Sequence, residues 1–282
     1  MSRVLLLDGD ILVYKVSFAC ENQNSWYSVV ITLKSMIRKY CNKSGCSSYI
    51  GLLTDSSSNF RNKRATTLPY KGIRSEKVKP KWFSKVKEYC QNSLNWQLMK
   101  GIEADDALVI LAERMGNNRV TCGTIDKDLK QYPWESFFDL NKGTLFPIGP
   151  EEAHKNLWGQ MITGDMLTDN IPGLSHAATY KNINPKFRGS KEELWGQVSA
   201  DALLSSVDPL DYAKAIMEEY IWAYDDHDIP EGLGEGYKCF GEYRYHETFD
   251  LLYMLRNLPE GVLLNDKTIA MKESKNEFKD IT

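Results

Sequence analysis

Acidic residues recur in this sequence where short apolar runs end. Arg3–Leu7 leads straight into Asp8-Gly9-Asp10, and Tyr49–Leu53 into Thr54-Asp55. Trp96–Met99 leads through Lys100-Gly101-Ile102 into Glu103-Ala104-Asp105-Asp106, and Arg119–Gly123 ends in Thr124-Ile125-Asp126-Lys127-Asp128. A fifth group, with Asp165 and Asp169, stands in Gly164-Asp165-Met166-Leu167-Thr168-Asp169-Asn170. Each acid alone has a plainer use: Asp8-Gly9 as a turn, Glu103, Asp105, Asp126 and Asp128 as helix-start residues. Jointly they point elsewhere. Carboxylates crowded together repel and raise one another's pKa unless cations neutralise them. Hard oxygen donors without His or Cys select Mg²⁺ or Mn²⁺. Two such ions about 4 Å apart are the usual apparatus of in-line phosphodiester hydrolysis, one activating the water and the other stabilising the leaving oxyanion.

That chemistry requires the acids to meet in space. The apolar runs read as strands, with a further one at Phe137–Leu140. Between them lie helical patterns at Trp26–Tyr40, Lys81–Gln91 and Glu103–Met115. Strand–helix alternation argues for an α/β fold with a mainly parallel central sheet flanked by helices. In such a sheet all carboxyl ends of the strands share one edge, where open α/β sheets build their sites. From about Pro150 helical patterns dominate, at Glu151–Ile162, Lys191–Leu204, Pro209–Tyr224 and His246–Leu258. Asp225–Gly236 reads as a loop and residues 265–282 as a polar tail. The expected organisation is an α/β core over 1–150 and a helical region over 151–282.

The net charge of −3 hides a local bias. Between Arg61 and Lys87 stand Arg61, Lys63, Arg64, Lys71, Arg74, Lys77, Lys79, Lys81, Lys85 and Lys87 against the single acid Glu76. Such a stretch suits a polyanion, and Tyr70, Trp82 and Phe83 within it suit stacking on unpaired bases. A solvated helix face is the bland alternative. Other chemistries are poorly served: there is no G-x-x-x-x-G-K-[ST], no G-x-G-x-x-G and no G-x-S-x-G. The six cysteines contain no C-x-x-C and the four histidines stand isolated, His227 reading as a loop residue, so free thiols rather than zinc are expected. No run approaches a membrane span. Asp8 interrupts what would be the apolar part of a leader. The expected location is the cytoplasm, the host's if the chain is viral, with no membrane partner.

Five motifs in order resemble the 5′→3′ exonuclease and flap endonuclease family, particularly its bacteriophage members, over about residues 3–175. They are Leu7-Asp8-Gly9; Asp55 with Phe60-Arg61 and then Pro69-Tyr70-Lys71-Gly72-Ile73-Arg74; Glu103-Ala104-Asp105-Asp106; Asp126-Lys127-Asp128-Leu129-Lys130-Gln131; and Gly164-Asp165 with Asp169-Asn170-Ile171-Pro172-Gly173. The resemblance implies a PIN-like core, a basic helical arch over 60–90 and a helix–three-turn–helix-like DNA-binding segment near 164–190. It implies that Asp8, Asp55, Glu103 and Asp105 surround a first ion. Asp106, Asp126, Asp128, Asp165 and Asp169 would hold a second, directly or through water. Lys71 and Arg74 would stabilise charge on the scissile phosphate, Tyr70 would stack on a terminal base, and Lys15, Arg61 and Lys181 would contact DNA. The spacing from Asp165 to Asp169 is one residue longer than the family's. After Gly173 the sequence Leu174-Ser175-His176-Ala177-Ala178-Thr179-Tyr180-Lys181 lacks the family's paired hairpin glycines, which argues against the K⁺ site found there in relatives. Duplex contacts would then fall to side chains such as His176, Lys181, Lys186 and Arg188.

The implied activity is hydrolysis of DNA at 5′ ends or flaps and of RNA primers, with two Mg²⁺ or Mn²⁺ ions, in phage-like replication. A catalytically weak DNA-structure-binding protein and a PIN-type ribonuclease remain as alternatives. The first would have lost metal acids, which this chain keeps. The second would lack the Tyr70-Lys71-x-x-Arg74 pattern and the long helical half.

Overall fold

The computed structural model describes residues 3–72, 78–174, 196–224, 228–229, 232 and 236–264. Expectations for Arg74, His176, Lys181, Lys186, Arg188, His227 and the tail over 265–282 fall outside these residues. Two compact units emerge, and neither is one continuous stretch. The first comprises the residues up to Asn59, Val78–Pro150 and the chain from Met254 onward; the second comprises Phe60–Lys77 and Glu151–Tyr253.

The first unit is a six-stranded sheet of β1 (Val4–Asp8), β2 (Ser48–Thr54), β3 (Gln97–Met99), β4 (Val120–Thr124), β5 (Phe137–Asp139) and β6 (Thr144–Phe146). The order is β3-β2-β1-β4-β5-β6, and every pairing is parallel except β5 with β6. Helices make the parallel crossovers: α1 (Gly9–Ala19) and α2 (Trp26–Ser44) join β1 to β2, α4 (Phe83–Asn92) precedes β3, and α5 (Ala104–Met115) joins β3 to β4. The expected mainly parallel sheet flanked by helices is the one found. The sequence reading stops at β5 and misses β6. Thr144 and Leu145 are exposed and Phe146 half-buried, so this short edge strand has no apolar alternation to read.

Side chains alternate across a sheet. Leu5, Leu7, Leu53, Phe138 and Leu140 pack with α1, α2 and α4 in one core. Helix α5, buried at Ala104 and from Asp106 to Ala112, packs against β1, β2, β3 and β4. One close approach explains the Asp8-Gly9 pair. A Cβ on Gly9 would lie 2.2 Å from the carbonyl oxygen of Leu52 and 2.9 Å from the Trp96 ring, so only glycine lets α1 start against β2. The chain directions along the sheet reverse beside β1, whose neighbours β2 and β4 lead away to opposite edges. Asp8 therefore ends the strand at the topological switch point.

The second unit contains α3 (Arg61–Arg64), α6 (Pro150–Thr163), the two-residue strands β7 (Gly164–Asp165) and β8 (Ile171–Pro172), α7 (Gln197–Ser206), α8 (Tyr212–Ala223) and α9 (Phe240–Leu252). Trp158, Met161, Tyr212, Ile216, Tyr220, Tyr243 and their neighbours form its core. Helix α9 starts earlier than the sequence suggests and ends at Leu252. The last carbonyls of a helix lack intrahelical partners. Here the buried Arg61 guanidinium supplies them, donating to Leu251 O at 2.9 Å and Tyr253 O at 2.8 Å. Along the same face Arg64 pairs with Asp250 at 2.5 Å. Next to it Glu247 accepts the Thr66 and Thr67 amides at 2.6 and 2.8 Å. Residues 61–67, the start of the basic stretch, are thus stitched to α9. Among the described residues no helix is long and apolar enough to cross a membrane.

Candidate metal centre

The carboxyl-end edge of the first sheet carries Asp8, Asp10, Asp55, Glu103, Asp105, Asp106, Asp126 and Asp128. Asp8 is buried. Its Oδ1 accepts the Ile11 amide at 3.1 Å, capping α1, and its Oδ2 accepts the Thr124 hydroxyl at 2.7 Å. Burial, with the charges of Asp10 and Asp126, pushes its pKa up to about 7 against the pull of those two hydrogen bonds. Thr124 works in both directions, since its oxygen also accepts the Asp126 amide at 2.9 Å. Asp126 Oδ1 in turn accepts the Asp128 amide at 2.9 Å. Buried Cys122 registers the same concentration of charge: desolvation, then Asp8, Asp105 and Asp126, drive its thiol well above the ordinary value. Carboxylates from β1, α5 and the end of β4 thus bear on one place.

Asp55 is different. The Ser57 hydroxyl donates to Oδ1 at 2.6 Å, the Ser57 amide to the same oxygen at 3.1 Å, and the Ser58 hydroxyl to Oδ2 at 3.1 Å. The Ser57 hydroxyl foremost, with Lys100 further off, holds Asp55 below the usual carboxylate range. Glu103 caps α5 reciprocally with Asp106: its side chain accepts the Asp106 amide, and its own amide donates to Asp106 Oδ2 at 3.2 Å. Asp106 is fully buried, and its Oδ1 accepts the Leu255 amide at 3.0 Å. The helix-start role weighed in the sequence for Glu103 forms here, with Asp106 as its reciprocal partner.

In the second unit, Asp165 Oδ1 accepts the Thr168 amide at 3.0 Å and its carbonyl the Asp169 amide at 3.1 Å. Gly164 makes the surrounding turn possible: its φ is +67°, and a Cβ there would lie 2.2 Å from Gly173 N. Asp169 holds the segment that carries Tyr70 and Lys71. Its carboxylate accepts the Tyr70 hydroxyl at 3.1 Å and lies 3.9 Å from Lys71 Nζ, and its carbonyl accepts the Lys71 amide at 2.8 Å. Lys71 adopts φ +55°. The Tyr70 ring is buried in the core of its unit, and Arg61 is buried under the end of α9. Both were expected at a DNA surface; in this structure Tyr70 packs in a core and the Arg61 guanidinium is buried on the carbonyls that end α9. Lys15 is half-buried, and its amine bonds the Asn141 side chain.

Sequence reasoning missed the polar residues that set the acids in place. Thr54, Thr124, Asp10 and Lys87 are not in its candidate set. A signal existed in the repeated threonine at a strand end just before an acid, Thr54-Asp55 and Thr124-Ile125-Asp126. Among the described residues no group of three or more His, Cys, Asp or Glu is spaced as a finished metal cage. The donor chemistry nevertheless fits a divalent ion. All donors are hard oxygens, and Asp8, raised by burial foremost and then by the charges of Asp10 and Asp126, carries a repulsion that a cation removes.

Residues 3–154 match a family described as the 5′-3′ exonuclease, N-terminal resolvase-like domain. No curated protein matches the chain. Two solved structures from bacteriophage T5 are similar to it. One, a T5 protein co-crystallized with metal ions, is 17% identical, covers 89% of this chain and 98% of its own, and superposes with a TM-score of 0.47. The other, a T5 flap endonuclease in a pseudo-enzyme–product complex with DNA and metal ions, is 15% identical, with 89% and 99% covered and a TM-score of 0.46.

Proposed function

The chain belongs to the 5′-3′ exonuclease family whose N-terminal resolvase-like domain its residues 3–154 match, and from that premise we propose a structure-selective, metal-dependent 5′→3′ nuclease. Its substrates are DNA with 5′ ends or flaps, and RNA primers paired to DNA, as replication of a phage-like genome generates. The observation that carries the reading is the convergence of Asp8, Asp105 and Asp126, from three separate segments, at the buried switch point of the sheet. Asp8, Asp55, Glu103 and Asp105 would hold one Mg²⁺ or Mn²⁺. Asp106, Asp126 and Asp128 would serve the other, directly or through water. Bound ions would supply an activated water and a stabilised leaving oxyanion. The chain's own residues do the positioning. Thr124 orients Asp8 and anchors the turn that bears Asp126. Lys71, with Arg74, would stabilise charge on the scissile phosphate.

The test is cleavage of a 5′-labelled flap and a 5′-labelled blunt duplex, with Mg²⁺ or with EDTA, by wild type and Asp126→Ala. The expected result is cutting that needs the metal and disappears in the variant. Tight DNA binding without cutting by wild type would favour a structure-binding protein, and cutting confined to single-stranded RNA a ribonuclease; either would overturn the proposal.

A further inference from the structure

Thr54, the last residue of β2, is tied on three sides. Its amide donates to Asp10 Oδ2 at 2.9 Å, its carbonyl accepts Lys87 Nζ at 2.7 Å, and its hydroxyl oxygen accepts the Ala104 amide at 2.9 Å. Lys87 Nζ closes the ring 3.5 Å from Asp10 Oδ1. These partners come from three elements. Asp10 stands on α1 two residues after Asp8. Lys87 projects from α4. Ala104 opens α5, which bears Asp105 and follows Glu103. Asp55 comes directly after Thr54 itself. First-turn amides of a helix have no partner within it. A capping residue normally satisfies them from the adjoining chain; for α5 a hydroxyl on a neighbouring strand takes part. At the first turn of α5, beside its acids, the hydrogen bond to β2 is made by this one oxygen atom.

We propose that Thr54 is a positioning residue, whose hydroxyl sets the carboxylate spacing that divalent ions require while Asp10 and Lys87 hold its backbone. This rests on the metal-dependent reading above. Thr54 is not a ligand and touches no reacting atom. Its contribution belongs to the class of outer hydrogen bonds whose removal costs about 10- to 100-fold in metal affinity or activity.

The experiment compares wild type, Thr54→Val and Thr54→Ser. Valine keeps the branched shape and loses the oxygen; serine keeps the oxygen and loses the methyl group. Mn²⁺ binding to the protein alone is followed by the electron paramagnetic resonance of free Mn²⁺, and kcat and KM are measured on a 5′ flap. Thr54→Val should bind Mn²⁺ at least about tenfold more weakly and lose kcat at unchanged KM, with Thr54→Ser near wild type in both. Melting without metal reports whether Thr54→Val folds. If it does not, Thr54→Ala, which differs from Thr54→Ser by the one oxygen, takes its place. Wild-type Mn²⁺ affinity in Thr54→Val, or equal loss in valine and serine, overturns the positioning role alone. Absence of Mn²⁺ binding in wild type overturns the metal-dependent reading, and this proposal with it.

Discussion

Replacing Glu247 by Gln should destabilise the second unit more than any exposed change in it. Glu247 and Arg244 are both buried, and the carboxylate accepts the Arg244 guanidinium, the Thr66 and Thr67 amides at 2.6 and 2.8 Å, and both threonine hydroxyls. Gln keeps the shape but presents one acceptor oxygen where Glu presents two. It also leaves Arg244 charged and buried without its counter-ion. Removing one partner of a buried pair costs about 3–5 kcal/mol, a large share of the roughly 5–15 kcal/mol that holds a protein folded. The acidity of Glu247 fixes the pH dependence. Burial pushes its carboxyl up, but Arg244 and the Thr67 and Thr66 donors outweigh that and hold it below the ordinary range. A carboxylate depressed on folding stabilises the protein above its unfolded pKa of about 4.3, and that stability is lost as pH falls through the folded value. Urea unfolding should therefore show the full penalty at pH 7 and a shrinking one below about pH 4. Arg244→Met with Glu247→Leu should recover much of the loss, because no lone charge remains. A loss at pH 7 no greater than the roughly 0.5 kcal/mol of a surface change would refute the reasoning.

Gly9→Ala should fail to pack, since its methyl group would meet the Leu52 carbonyl at 2.2 Å. The expected cost is at least the roughly 1–3 kcal/mol of overpacking, and a melting curve little changed from wild type would count against it. Leu255→Pro removes the amide that Asp106 Oδ1 accepts. It should cost about 1–3 kcal/mol for the buried oxygen in thermal unfolding, whereas Leu255→Ala keeps the amide; equal melting of the two variants would show the bond to be dispensable.

Strands β1 to β4 were readable because each is an apolar run leading into an acid, and a parallel sheet places those acids on one edge. Strand β6 was not, having no apolar face. The charged residues were harder. Arg61 and Tyr70 carry the composition of a DNA surface, and their contacts to the end of α9 and within a core could not be read from it. Nothing in the local sequence distinguishes an arginine that meets phosphate from one that meets carbonyls 190 residues away. Asp106 shows the same limit, since one of its oxygens takes an amide from a segment with no motif of its own. Thr54 escaped notice because its three partners are brought together only by folding.

Synthesis proceeds from the amino end, and domains fold as they emerge. Strands β1, β2 and β4 and helix α5 have all left the ribosome long before Leu255, which lies 149 residues after the Asp106 it bonds. The entire second-unit stretch from Glu151 to Tyr253 is made in between. A chain stalled at Tyr253 would possess each acid of the first sheet and still lack the amide that finishes the setting of Asp106. Completion of the carboxylate edge is thereby timed to follow the making of the other unit, so that a nascent chain acquires its finished edge late.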